Sequence, residues 1–276
     1  MTACQTRGAC RSITAVSDEA APEAPAASPA LPKRDWRPRA LDLFGFILRW
    51  VPDVLMQGVI GLIGNALYAW FPRRRRVLLS NLHHAFPEME PKALIRLGRR
   101  SCRRMAEMGL WLLVSPHYSE RAIQRRLAVA PGALEQLTAN AADGRPAVVA
   151  IPHTCLMEML TCVPALTEAV ELPEVGVIYR PLNQPWLDRW VREMRERRGF
   201  RLLARQRGFT EAMRRLRAGQ MVAILFDQHA STGGLLTTSF GRLISASQAP
   251  GRLSVSQNAR LFTAIIERDS FLRGWL

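Results

Sequence analysis

The sequence predicts an α/β fold, a mostly parallel sheet flanked by helices, preceded by a hydrophobic membrane-anchoring helix. Three observations predict it. Short apolar runs alternate with helix-like stretches through the second half of the chain, the pattern of repeated βαβ units. An uncharged apolar stretch lies near the N-terminus. The length of 276 residues and the 48% hydrophobic content supply one sizeable core,.

The elements follow in order. Residues 1–40, which include the Ala- and Pro-rich run from Ala20 to Pro29, show neither helical nor strand periodicity and predict a disordered leader,. They also lack the apolar core and small-residue cleavage site of a secretory signal. Residues 41–72 form the expected anchor. Val54 to Phe71 contain no charge, and 18 helical residues span about 27 Å, close to the hydrocarbon thickness of a bilayer. Gly58, Gly61, Gly64, Gln57 and Asn65 weaken a full span, so an embedded or interfacial anchor fits better. The alternative is a buried helix of the globular domain. Arg73 to Arg76, just after Tyr68 and Trp70, make an aromatic and basic border suited to the cytoplasmic face of a membrane,. Four solvated arginines capping a helix would read the same way.

The globular domain is expected over residues 73–276. Ala93, Leu94, Leu97, Met105, Met108, Trp111 and Leu112 recur at helical spacing and predict a buried stripe,. Beyond it, Ala147 to Ile151, Val175 to Tyr179, Phe200 to Leu203, Met221 to Phe226 and Leu261 to Ile266 are the expected strands. The stretches to Ala169, from Pro185 to Arg198 and from Phe209 to Arg217 are the expected helices.

Charge narrows the partners. Lys and Arg number 38 against 23 acidic residues, a net +15, and only Lys33 and Lys92 are lysines. Arginine favours bidentate contact with phosphate or carboxylate, so an anionic lipid, a nucleic acid or an acidic protein would each suit this surface. No helix-turn-helix, zinc knuckle or aromatic RNA-binding motif is present, and the arginines spread over many helices, which argues against nucleic acid. Five cysteines without a CxxC pair argue against a disulfide framework or zinc site and suit a reducing compartment,.

His153 and Glu158 follow the first apolar strand. An imidazole titrates near neutrality and takes a proton from a hydroxyl, while a carboxylate on its other nitrogen fixes the tautomer. Five residues apart on one helix, the two side chains would diverge by roughly 140°. Pro152 supplies the needed break, with His153 in the turn and Glu158 in a following helix. A polar loop histidine and a solvated glutamate fit the same spacing. Cys155, between them, reads as an apolar packing residue. Arg180 and Asn183 follow the second apolar run, and Asp227 and Gln228 follow the fourth. In open α/β sheets ligands gather at the carboxyl ends of strands. Arg180 there would bind phosphate or an oxyanion, and Asp227 would orient it or bind an acceptor. A structural salt bridge and a turn residue are the respective alternatives, and His229 reads as a loop residue.

Taken together, these segments resemble a known family. Arg76-Val-Leu-Leu-Ser-Asn-Leu-His-His-Ala-Phe-Pro-Glu88, His153 to Glu158, Tyr179-Arg180-Pro181 with Asn183 and Pro185, and Asp227-Gln228 followed by Gly233-Gly234 and Phe240-Gly241 occur in order. They resemble the motifs of the lipid A biosynthesis lauroyl and myristoyl acyltransferases. The resemblance implies a glycerolphosphate-acyltransferase-like fold in which His153 is the general base and Glu158 its partner, with Arg180, Asn183, Asp227 and Gln228 binding substrate. It implies acyl carrier protein as donor, a lipid A precursor as acceptor, an anionic inner membrane with the catalytic domain facing the cytoplasm, and no metal or cofactor. Another glycolipid or aminolipid acceptor, such as an ornithine lipid or phosphoinositide mannoside, is the close alternative; a truncated, inactive lipid-binding paralogue is another. Family members continue past the run Leu261 to Ile266 with a further element, so a truncated C-terminus with an exposed sheet edge is expected.

Overall fold

The computed structural model describes residues 35–166, 174–230 and 233–276. The leader up to residue 34 lies outside them. Trp36–Leu276 form one compact unit.

Prolines punctuate the amino-terminal helices α1 (Arg37–Leu48), α2 (Asp53–Trp70), α3 (Pro72–Ala85) and α4 (Pro91–Val114). Pro38, Pro72 and Pro91 sit in first turns, where the missing N–H costs no helical bond,. Pro52 precedes α2 with an extended backbone.

The anticipated anchor is therefore not one membrane-spanning helix. No single described helix is long and apolar enough to cross a membrane, and α2 passes that test only when paired with α3, from which it is bent by 96°. Instead α2 lays Met56, Ile60, Gly64 and Tyr68, four residues apart, against the globular unit,. Gly64 permits the closest approach, because a Cβ there would lie 2.5 Å from the Cα of Arg103 on α4. The other side of α2 is apolar and open: Leu55, Val59 and Leu62 are exposed, as are Leu43, Phe44, Ile47 and Trp50 on or after α1. Of the two expectations, the buried helix is met on one face of α2, and a membrane-anchoring helix is not supported among the described residues.

After α4 come α5 (Glu120–Gln124), β1 (Leu127–Ala128) and α6 (Pro131–Asp143). The main sheet then begins with β2 (Ala147–Ile151). A 3₁₀ stretch (Met157–Leu166) leads on, followed by β3 (Val175–Tyr179), α7 (Pro185–Glu196), β4 (Phe200–Ala204), α8 (Arg205–Arg217) and β5 (Met221–Leu225). A hairpin of β6 (Leu235–Ser239) and β7 (Arg242–Ala246), then α9 (Ala249–Ser256) and β8 (Arg260–Thr263), complete this part. The order is β4-β3-β5-β2-β8, all parallel. Both faces are covered. Val148, Val222, Ile224 and Ile178 meet Ala212 and Leu216 of α8 and Leu253 of α9, while Ala147, Ile151, Met221 and Ala223 meet Trp111, Val114, Ile123, Leu156 and Met159. That two-sided burial explains why these strands read as continuous apolar runs.

The last residues fold back. β9 (Glu267–Arg268) and β10 (Gly274–Trp275) join β1 in a small sheet of order β1-β10-β9. Glu107 of α4, 1% exposed, ties this segment down. Its carboxylate accepts from Arg104 Nη1 (2.8 Å), Arg268 Nε (3.1 Å) and the backbone N–H of Leu272 (2.8 Å). Three donors, two of them cationic, satisfy a charge that would otherwise be costly to bury.

Candidate active site

β2 and β5 are neighbours in register, Ile151 opposite Leu225, so the residues just past their carboxyl ends meet. Past β2 stands His153, and past β5 stand Asp227 and Gln228. The imidazole Nδ1 lies 2.5 Å from Asp227 Oδ1, and the backbone N–H of His153 donates to Asp227 Oδ2 at 2.8 Å. Both carboxylate oxygens are thus committed to one residue. With Nδ1–H donating to the aspartate, Nε2 carries the lone pair. Gln228 Nε2 sits 3.2 Å from it and donates. Both side chains of the pair are about one-third exposed, at 33% and 35%, so the base is open to an incoming hydroxyl.

Glu158 is not the partner of His153, as the five-residue motif suggested. It is turned inward, 6% exposed, and bound by Arg195 of α7. Arg195 Nε donates to Glu158 Oε2 at 3.0 Å and its Nη2 donates to Oε1. The physical cause lies between the two motif residues. Leu156, fully buried, takes a left-handed backbone with φ of 63°, which reverses the chain and sends His153 outward and Glu158 into the core. A branched residue in that region is strained by about 1–2 kcal/mol, offset here by its burial. The break that the spacing required is present, but it separates the pair instead of joining it.

Cys155, in the same loop, packs inward. Its thiol donates to the carbonyl of Arg104 at 3.8 Å. Burial, followed by the nearby Glu107 carboxylate, pushes it up to about 11. At neutral pH it is a thiol, which agrees with the packing role expected for it and not with a nucleophile.

Arg180 and Asn183 lie exposed in the loop after β3. That strand pairs with the far side of β5, Ile178 opposite Ile224, so the loop stands two strands, roughly 10 Å, from the histidine loop. Its backbone is fixed from below. Asp188 of α7 accepts the N–H of Leu182 at 2.7 Å and the hydroxyl of Tyr179 at 3.3 Å, and Arg192 Nη2 donates to that hydroxyl at 2.5 Å. Neither Asp188 nor Arg195 was foreseen as a site residue. The available signal was positional: both lie on α7, beside the buried stripe Trp190, Val191 and Met194, where a charged side chain must find a partner.

A model of the bacterial lipid A biosynthesis acyltransferase family matches residues 35–275. No curated protein sequence matches the chain. Because the matched span runs from the helices at the amino end through the whole parallel sheet to β10, the chain belongs to the bacterial lipid A biosynthesis acyltransferase family.

Proposed function

We propose that this protein transfers a fatty acyl chain from acyl carrier protein to a hydroxyl of a lipid A precursor, with His153 as general base oriented by Asp227. The hydrogen-bonded pair at the ends of adjacent strands is the observation that carries this reading. The acceptor hydroxyl displaces Gln228 from Nε2 and gives its proton to the imidazole as its oxygen attacks the thioester carbonyl. The tetrahedral oxyanion collapses, the carbon–sulfur bond breaks, and the departing thiolate takes the proton back from the imidazolium. Asp227 favours that imidazolium and holds the tautomer. Arg180, exposed on the neighbouring loop, is the cation for the oxyanion or a substrate phosphate, and Asn183 contributes to the same rim,.

The enzyme works at the cytoplasmic face of the inner membrane. Support comes from the exposed apolar side of α1 and α2 and from Arg73 to Arg76 at the start of α3, which suit an interfacial seat on anionic lipid. The net charge of +15 favours both that surface and an acidic carrier protein,.

The test is acyl transfer from acyl carrier protein to a lipid A precursor in membranes carrying the protein. Wild type turns over, and His153→Ala loses activity while its expression and melting temperature persist. Full activity in His153→Ala overturns the mechanism. Turnover with an ornithine lipid but not with the lipid A precursor would assign the other acceptor.

A further inference from the structure

A cleft of about 190 Å³ lies between α2 and α4, lined by Gln57, Gly61, Arg100, Arg103, Arg104 and Glu107 among others. On α4 the spacing of 100, 103, 104 and 107 places all four charged residues on one helical face. They do not cancel. Three guanidinium groups face one carboxylate, and that carboxylate is shared with Arg268 outside the cleft. Arg103 spends its donors on a neutral amide, Asn65 Oδ1, at 3.2 and 3.1 Å. Arg100 is exposed and has no carboxylate partner among the described residues.

The opposite wall is open. A Cβ built at Gly61, or at Gly58 one turn away, meets nothing within 4 Å, and Val54, two turns before Gly61 on the same side of α2, is exposed,. Surplus positive charge with five-donor guanidinium forks thus borders directly on an apolar helix face. A ligand that satisfies both carries a compact anion on one end and a hydrocarbon chain on the other. Arg104, one of the residues that line the cleft, also meets the loop of the base through its main chain, where its carbonyl accepts from Cys155, two residues beyond His153.

We propose that this cleft binds a phosphate monoester carried by a membrane lipid, with the lipid's chains against the exposed face of α2. That the lipid is the acyl acceptor rests on the function proposed above; the binding does not.

The experiment is co-sedimentation of the full-length protein with vesicles. Phosphatidylcholine vesicles doped with phosphatidic acid, a monoester, are compared with vesicles doped with phosphatidylglycerol, a diester, at matched total charge. Wild type favours phosphatidic acid by about fivefold, the effect of one well-placed arginine at an anionic surface. Arg100→Ala removes the preference without breaking an interaction in the fold. Gly61→Leu, which fills the cleft from its open wall, removes it as well, and both retain the wild-type melting temperature. Equal binding to the two vesicle types, or a preference that survives both substitutions, overturns the proposal. Saturation by inorganic phosphate, lost in the same variants but with no discrimination between vesicles, would assign the cleft to free phosphate and overturn the lipid-borne reading. His153→Ala keeps the vesicle preference, so absence of turnover in wild type would defeat the proposed function and leave this site standing.

Discussion

His153 and Asp227 stand 74 residues apart in sequence and share two hydrogen bonds, one from the ring and one from the backbone of the histidine. The backbone bond fixes the aspartate whatever the ring does. Asp227→Asn therefore keeps the turn but offers an amide where the imidazole N–H needs an anion. We expect kcat to fall by about 10²- to 10⁴-fold, the usual worth of a positioned base, with KM little changed. Because both side chains are one-third exposed, the melting temperature stays within a few degrees. Steady-state rates with acyl carrier protein as donor decide it: a variant within threefold of wild type would remove Asp227 from the mechanism.

Glu158 makes the opposite prediction. Its carboxylate and the Arg195 guanidinium form a pair with side-chain exposures of 7% and 23%, so removing one member strands the other. Glu158→Ala and Arg195→Ala should each cost about 3–5 kcal/mol, and for a chain of this size that lowers the melting temperature by roughly 6–20 °C. The double variant Glu158→Gln with Arg195→Met, which buries no unpaired charge, recovers most of it. A Glu158→Gln protein with unchanged melting temperature and a collapsed kcat would restore the carboxylate to a direct catalytic role.

The sheet was legible in the sequence, and the site only in part. Val175 to Tyr179 and Ala147 to Ile151 were read with their observed bounds, because a strand buried on both faces is an unbroken apolar run,. Residues at the ends of those runs were marked as site candidates, and two of them, His153 and Asp227, are hydrogen-bonded to each other. Their pairing was not, since it depends on β5 inserting between β3 and β2, and strand order leaves no trace in local composition. The exposed hairpin β6–β7 was missed for the complementary reason. Leu235, Leu236, Leu243 and Ile244 stay in solvent, so no burial periodicity marks them. Arg195 was lost among many arginines of similar appearance, and the role of Leu156 depends on a dihedral angle, not on residue type.

Cys155 offers a test of the loop's interior. With its thiol pushed up to about 11, chiefly by burial, the thiolate is scarce at pH 7.5 and alkylation by iodoacetamide should be far slower than for the unfolded chain. Cys155→Ala loses only packing and keeps acyl transfer within a few-fold of wild type. Rapid labelling of native Cys155 coupled to loss of activity would reopen a nucleophilic role.

His117 makes stability depend on pH in a defined direction. It closes the short turn Ser115–His117 after α4, with a side chain 9% exposed, Phe46 edge-on at 5.9 Å and a buried Nε2 that lacks a hydrogen-bond partner among the described residues. Burial is the main cause that holds its pKa below the ordinary value; Asp42, 3.5 Å away, opposes this, while Arg197 and Arg49 add to it. The unfolded chain therefore takes up this proton first as pH falls. Through the window from about pH 6.5 down to the folded value, the unfolded state holds more protons, so stability is full above that window and declines on acidification. His117→Gln should leave stability above pH 7 nearly unchanged and flatten the decline below 6.5. Urea midpoints for the two proteins between pH 5 and 8 give the difference directly. A difference that grows with rising pH, or parallel curves throughout, would show that this histidine is not held neutral by burial.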